Sequence, residues 1–205
     1  MSQNDKSRFF DGIASKWDGW EDLEQLARKL DAGLEAFGMG TDEAVLDVGC
    51  GTGNLTRALL ARLSSRGRVT AVDISPEMVR AAKEKVSDPR VTWHVADAVD
   101  LPLEDAAIDR VICFSVWPHF DDHILILKEL WRVLKPAGML HIWHLASRRV
   151  INEIHASAGA AVHNDLLAPA TDTKQILERS HFHPSTVVED DTHYLVSAVK
   201  PPISK

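Results

Sequence analysis

The chain has 205 residues, 45% of them hydrophobic, and a formal net charge of −7 at pH 7. That length and apolar share suit one domain, 1–205, with a substantial core, and the acidic balance excludes the basic face that a nucleic-acid partner selects. The opening stretch, MSQNDKSRFFDGIASKWD, has no apolar run of the signal-peptide type, and nothing approaches the ~20 apolar residues of a membrane span.

Two cysteines, Cys50 and Cys113, read as reduced, small apolar residues, so a cytoplasmic protein is expected. Along the chain, the aromatics Phe9, Phe10, Trp17 and Trp20 come first. They read either as a lid or as one face of an amphipathic helix packed on a sheet. Residues 20–37 then repeat Leu23, Leu26, Leu30, Leu34 and Phe37 at helical spacing, which makes 1–40 a helical lid segment ahead of a core over 41–200. Strands are expected near 44–49, 69–73, 91–96, 108–115 and 138–145, alternating with helices near 54–64, 76–86 and 122–134. Ser75 before Pro76 marks one helix start, and Asp121 or Asp122 the next. Pro136 and Gly138 are expected to end that helix and turn the chain into the following strand. Two final runs, STVVED and HYLVSAV, suit an antiparallel pair at a sheet edge. Alternating strands and helices give an α/β, doubly wound, Rossmann-like sheet that is mostly parallel.

The first strand and its turn carry the chemistry. VLDVGCGTGNLT at 45–56 runs from an apolar strand through Gly49, Gly51 and Gly53 into a helix. VTAVDIS follows at 69–75, so a second strand ends in Asp73, 20 residues beyond Gly53. Glycines let the backbone turn sharply and approach a ligand, and a carboxylate at the next strand end accepts hydrogen bonds from ribose hydroxyls. An adenosine-bearing cofactor is the reading. A dinucleotide fingerprint wants a third glycine or alanine where Asn54 stands, so the pattern is instead the G-x-G-x-G of DVGCGTG.

With these residues in view, the chain resembles the class I S-adenosylmethionine (SAM) dependent methyltransferases. LDVGCGTGNLT, AVDISPEMVRAAKEK, WHVADAVDLPLEDAAIDRVICFSVWPHF and LKELWRVLKPAGMLHIW carry the resemblance, and FFDGIASKWD is similar to the first helix of the quinone-biosynthesis-type branch. The resemblance implies a seven-stranded sheet with a reversed last strand, SAM as cofactor and S-adenosylhomocysteine as product. It assigns Asp73 to the ribose, and Asp97 with Ala98 to the adenine amino group. It gives Asp47 to the glycine loop or the methionine ammonium, and the carbonyls of Phe114 and Ser115 to the methionine end. Ile74 and Met78 read as walls of the adenine pocket or, for Met78, equally as core.

SAM carries its own activation, so the protein must align the acceptor and, for an acceptor that loses a proton, supply a base. The candidates are histidines. His119, beyond the fourth strand, and His144, closing the fifth, are the expected catalytic pair, and His155 and His163 fall in the segment where the family builds its acceptor pocket. Each of them also reads as a hydrogen-bonded structural residue. Phe10 and Trp17 are expected as lid, and Trp117 as pocket wall. His141 reads as core, and His181 and His183 as surface.

No metal is expected. His119 and His123 straddle a helix start, and His155, His163 and Asp165 meet His144 only if the following loop folds back. A small-molecule acceptor, methylated on oxygen or carbon, is the expectation for function, with no nucleic-acid or membrane partner and a monomer or homodimer as the assembly. Readings from other classes stay open: a SAM-binding regulator without transferase activity, and a histidine-rich module handling a metal or tetrapyrrole. A nicotinamide oxidoreductase fits least, because Asn54 breaks its fingerprint.

Overall fold

A computed structural model describes residues 3–202. It runs α1 (Gln3–Ile13), a 3₁₀ helix (Ala14–Trp20), α2 (Leu23–Ala36), β1 (Ala44–Val48), α3 (Asn54–Arg62), β2 (Arg68–Asp73), α4 (Pro76–Lys85) and β3 (Val91–Val95). After a long connection come β4 (Ile108–Phe114), a 3₁₀ turn (Trp117–His119), α5 (His123–Val133), β5 (Leu134–His144), α6 (Arg148–Ser157), α7 (Ala170–Arg179), β6 (His183–Glu189) and β7 (Tyr194–Val199). The strands form a seven-stranded sheet in the order β3-β2-β1-β4-β5-β7-β6. β1 pairs parallel with β2, β2 with β3, and β4 with β5, whereas β7 runs antiparallel to both β5 and β6. This is the expected Rossmann-like, mostly parallel sheet, with the last strand reversed.

The chain packs as two compact units, Met1–Asp97 and Ala98–Lys205. In the first, Val45, Leu46, Val48, Val69, Ala71 and Val72 bury both faces of the parallel strands. These runs are continuously apolar, as a sheet covered by helices on both sides requires. Leu30 and Leu34 of α2 and Leu55 and Leu59 of α3 are buried at helical spacing. Asp22 caps α2 by accepting the Glu24 and Gln25 N–H groups at 3.0 Å. Ser75 caps α4 through Met78 N–H at 3.1 Å, with Pro76 in the first turn.

In the second unit, Val111, Ile112, Leu127, Leu130, Leu140 and Ile142 are fully buried. Asp122 caps α5 through Ile124 and Leu125. Pro136 and Gly138 act differently from expectation. α5 ends at Val133, and Leu134 already pairs with Ile108; the register then jumps to Met139 opposite Arg110. Lys135 to Gly138 thus form a bulge inside β5, with Ala137 at φ +65°. A Cβ on Gly138 would sit 2.8 Å from the Lys135 carbonyl, so glycine is required there by close approach. Helices α6 and α7 occupy a segment for which the sequence reading offered no elements.

Candidate functional site

The glycine loop lies at the C-terminal ends of β1 and β2, where ligands of open α/β sheets bind. Val72 O accepts the N–H groups of Gly49 and Cys50 at 2.8 and 3.0 Å, which folds the loop back over β2. Gly51 and Gly53 have φ of +50° and +82°, a region other residues rarely occupy. At Gly53 a Cβ would also meet Ala82 and Trp93 at 3.1 and 3.2 Å, so both conformation and space demand glycine.

Asp73 ties this loop to the end of β2. Its Oδ2 accepts Gly51 N–H at 2.8 Å, and its Oδ1 accepts Ser75 N–H at 2.9 Å. The carboxylate is therefore oriented before any ligand arrives. Asp47, inside β1, is fully buried and accepts the Thr56 hydroxyl at 2.6 Å. Burial, opposed by that hydrogen bond and reinforced by the neighbouring Asp73 charge, raises its pKa to about 7. Ile74 is half-buried and its carbonyl accepts the Ser7 hydroxyl, whereas Met78 is buried to 2% exposure in the core. Asp97 is half-buried in the turn after β3.

The N-terminal segment is fastened to this loop by acids. Asp11 of α1 accepts the Ser75 hydroxyl at 2.6 Å and Glu77 N–H at 3.2 Å. Asp18, in the 3₁₀ helix, accepts the Thr52 hydroxyl at 2.6 Å and the Asn54 amide at 3.0 Å, and pairs with Lys85. Burial opposes ionisation of Asp18, but the hydrogen bonds from Lys85, Thr52 and Asn54 outweigh it and hold the carboxyl below its usual range. Phe10 and Trp17 meet edge-on at 6.3 Å, and Trp17 contacts Trp20 at 5.7 Å. The aromatics form a cluster, while Asp11 and Asp18 do the fastening. Their partners lie dozens of positions away, and a single acid in a helix gives no sequence signal of such a role.

In the second unit, Ala98 is buried, and Phe114 ends β4 against Trp143 at 5.0 Å. Ser115 follows at φ +54°, a left-handed conformation for a non-glycine residue at the C-terminal end of a strand. Trp117 is buried and stacks on His123 at 4.5 Å. The loop between α6 and α7 folds back on α6 through Asn152, which bonds Leu167 N–H at 2.8 Å and Leu167 O at 3.2 Å. That return brings His119, His155 and Asp165 together. His119 Nδ1 meets Asp165 Oδ2 at 2.8 Å, His155 Nδ1 bonds the Asp165 carbonyl, and the two rings lie 4.7 Å apart.

His144 stands beside this group. Burial first, and then the charges of His119 and His155, lower its pKa to about 3. Its Nε2 is buried with no hydrogen-bond partner among the described residues, and its ring meets Tyr194 edge-on at 5.6 Å. His163 is exposed in the turn after Gly159. His141 is core, between Arg110 at 2.7 Å and Ser197 at 2.8 Å. Among the described residues no group of three or more His, Cys, Asp or Glu side chains is arranged to hold a metal ion. The His119–Asp165 pair was not read from the sequence; its only signal was the place of Asp165 among histidines in the segment after the fifth strand.

The glycine loop, the acid-ended β2 and the sheet order together define a class I methyltransferase domain. A family profile described as "Methyltransferase domain" matches residues 46–142. The chain is 35% identical over 137 residues to a demethylmenaquinone methyltransferase of Staphylococcus aureus, covering 65% of this chain and 57% of that protein. It is 31% identical over 148 residues to a malonyl-[acyl-carrier protein] O-methyltransferase of Priestia megaterium, covering 72% and 53%. The chain thus spans a little over half the length of these curated relatives. A crystal structure of a SAM-dependent methyltransferase from Aquifex aeolicus superposes with a TM-score of 0.76 at 26% identity, over 91% of this chain and 97% of that one.

The chain carries a methyltransferase domain of the class I SAM-dependent type, matched over residues 46–142. Within it, the chain is similar to the quinone-biosynthesis-type branch.

Proposed function

We propose that this protein transfers the methyl group of SAM to a small-molecule acceptor, on oxygen or on carbon. The observation that carries the reading is the oriented Asp73 carboxylate, which holds the glycine loop through Gly51 and stands where a ribose would be met. Asp73 takes the ribose hydroxyls, and Asp97 and Ala98 the adenine edge with Ile74. Met78 supports that wall from the core. Gly49, Gly51 and Gly53 let the backbone approach the cofactor. Asp47 supports the loop and offers a carboxylate to the methionine ammonium, and the Phe114 and Ser115 carbonyls take the methionine end.

His119 serves as the base, with His144 and His155 lining the acceptor site beside Trp117. The named relatives act on a quinone and on a carrier-bound malonyl group, and one of the names specifies an O-methyltransferase. Both support an acceptor that is not nucleic acid, as the net charge of −7 also does. Among the described residues no helix is long and apolar enough to cross a membrane. Both cysteines are free and buried, which suits a reducing compartment such as the cytoplasm.

The test is transfer of labelled methyl from SAM into a cell extract, separated into small-molecule, protein and nucleic-acid fractions. Label is expected in the small-molecule fraction, and none when Asp73→Ala replaces the parent. Label in nucleic acid would overturn the acceptor class. SAM binding without any label would return the protein to the regulator reading.

A further inference from the structure

We propose that the N-terminal segment is a gate on cofactor exchange, latched to the glycine loop by Asp18: SAM enters and S-adenosylhomocysteine leaves when Asp18 lets go of Thr52, Asn54 and Lys85. The inference rests on the methyltransferase reading and adds how that site is opened and closed.

Asp73, the carboxylate proposed for the ribose, is flanked on both sides by residues that the segment holds. On one side lies the glycine loop, where Gly51 N–H donates to Asp73 Oδ2 at 2.8 Å. Close beyond Gly51, the Thr52 hydroxyl and the Asn54 amide both donate to Asp18, at 2.6 and 3.0 Å. On the other side Ser75 N–H donates to Asp73 Oδ1 at 2.9 Å. There α1 takes hold. The Ser7 hydroxyl donates to Ile74 O at 3.1 Å, and Asp11 accepts the Ser75 hydroxyl and Glu77 N–H. The chain from Asp11 to Asp18 therefore passes from one lip of the site to the other, and Asp73 is left only 9% exposed. A ribose needs a neighbour of that carboxylate to move before it can present two hydroxyls.

The segment is the neighbour suited to moving. Main-chain bonds hold the loop from beneath: Val72 O accepts Gly49 and Cys50 N–H, and Cys50 O accepts Gly53 N–H at 2.9 Å. Asp73 itself ends a strand paired on both edges. Between Asp5 and Trp20, by contrast, Ala14 is the one buried apolar residue, and Trp20 is 61% exposed. Each bond named above from the segment to the loop or to the end of β2 uses a side chain of the segment. An element with a thin buried face, held by side chains, opens at less cost than the strands it rests on.

Lys85 makes the latch reversible. Its ammonium pairs with Asp18 and also donates to Thr52 Oγ1 and Asn54 Oδ1, at 3.0 Å each. When Asp18 withdraws, Lys85 still holds both loop side chains, so the loop keeps its shape while the segment leaves. Asn54, the residue that breaks the dinucleotide fingerprint, gains a role here: its amide meets Asp18 and its carbonyl meets Lys85. Two arrangements of one network, shut with Asp18 and open without it, are what a gate requires.

Stopped-flow binding of SAM and of S-adenosylhomocysteine to the full chain tests this, followed by the fluorescence of Trp17 and Trp20 in the segment, with calorimetric affinities alongside. In the parent, the observed binding rate should level off as SAM concentration rises, because opening comes first. Asp18→Ala breaks the latch in the free and the bound protein alike. It should raise the plateau and the dissociation rate of S-adenosylhomocysteine together, each by about tenfold, with Kd within about threefold. If Asp18 merely shaped the loop, association would keep its parental rate and all the lost affinity would appear in dissociation. That result would overturn the proposal, as would equal rates in parent and variant. Asp18→Asn keeps the shape and removes the charge that Lys85 pairs with. It should shift both rates in the same direction by about threefold, and it decides the matter if Asp18→Ala does not fold. A parent that binds neither SAM nor S-adenosylhomocysteine would overturn the cofactor reading and the gate with it. Binding with unaltered exchange in both variants would remove the gate alone.

Discussion

Asp47 and Asp73 stand on neighbouring parallel strands, yet their environments push them apart. Asp73 is held by two backbone N–H groups, whereas Asp47 is fully buried beside Thr56, and burial raises its pKa to about 7 despite the hydrogen bonds from Thr56. SAM brings a sulfonium and an ammonium, and a cation beside a carboxyl favours its ionised form. SAM binding near pH 6.5 should therefore expel a proton from Asp47, and affinity should rise as pH increases toward and through 7. Calorimetry in two buffers of different ionisation enthalpy reads the proton count directly. Asp47→Asn should abolish the buffer dependence and weaken binding. An unchanged count in that variant would detach the titration from Asp47. Asp73→Ala should weaken SAM binding by at least tenfold, since it removes the proposed ribose acceptor and releases the Gly51 N–H; a calorimetric affinity equal to the parent's would end the ribose assignment.

Among the elements, the N-terminal segment shows best what a sequence discloses. Period and capping residues placed α2, α3, α4 and α5 within a few positions, because a helix announces its buried stripe and its first-turn acceptor locally. The bulge in β5 was missed because Pro136 and Gly138 carry the same punctuation whether they end a helix or kink a strand. Helix α6 was missed because it buries only Ile151, too thin a stripe to read. The aromatic cluster of Phe10, Trp17 and Trp20 was legible, but the fastening by Asp11 and Asp18 was not, since it depends on loops that only folding brings near. Asp18→Ala should release this segment from the glycine loop. Losing an acceptor shared by Thr52, Asn54 and Lys85 should cost about 1–3 kcal/mol locally. Hydrogen exchange should quicken over residues 3–20 and remain unchanged in β4 and β5. Uniform quickening would mean that Asp18 supports the whole unit, and no quickening that the aromatics hold the segment alone.

For the molecule as a whole, buried titratable groups set how stability follows pH, and they pull in opposite directions. His141 and His144 are held near pKa 3, the first by burial and then the Arg110 charge, the second by burial and then its histidine neighbours. Unfolded histidine titrates at about 6.5. Between roughly 6.5 and 3 the unfolded chain therefore binds protons that the folded chain refuses, and stability falls as pH falls. Asp47 has the reverse sign. Its folded pKa of about 7 exceeds the unfolded carboxylate value, so between about 4 and 7 the folded state holds the extra proton, and stability falls as pH rises. Two histidines outweigh one aspartate, and the cofactor-free protein should lose stability on acidification from pH 7 to 4. Asp88, drawn down to about 2 chiefly by the Arg90 side chain, adds to the same loss below pH 4, although its exposure keeps that contribution small. Replacing Asp47 by Asn removes the opposing slope, so urea midpoints measured from pH 4 to 8 should fall more steeply toward acid in the variant. At pH 8, with the buried-charge penalty gone, its midpoint should exceed the parent's. A variant whose profile parallels the parent's would show that Asp47 ionises as freely in the folded chain as in the unfolded one, and the proton release on SAM binding would have to come from another group.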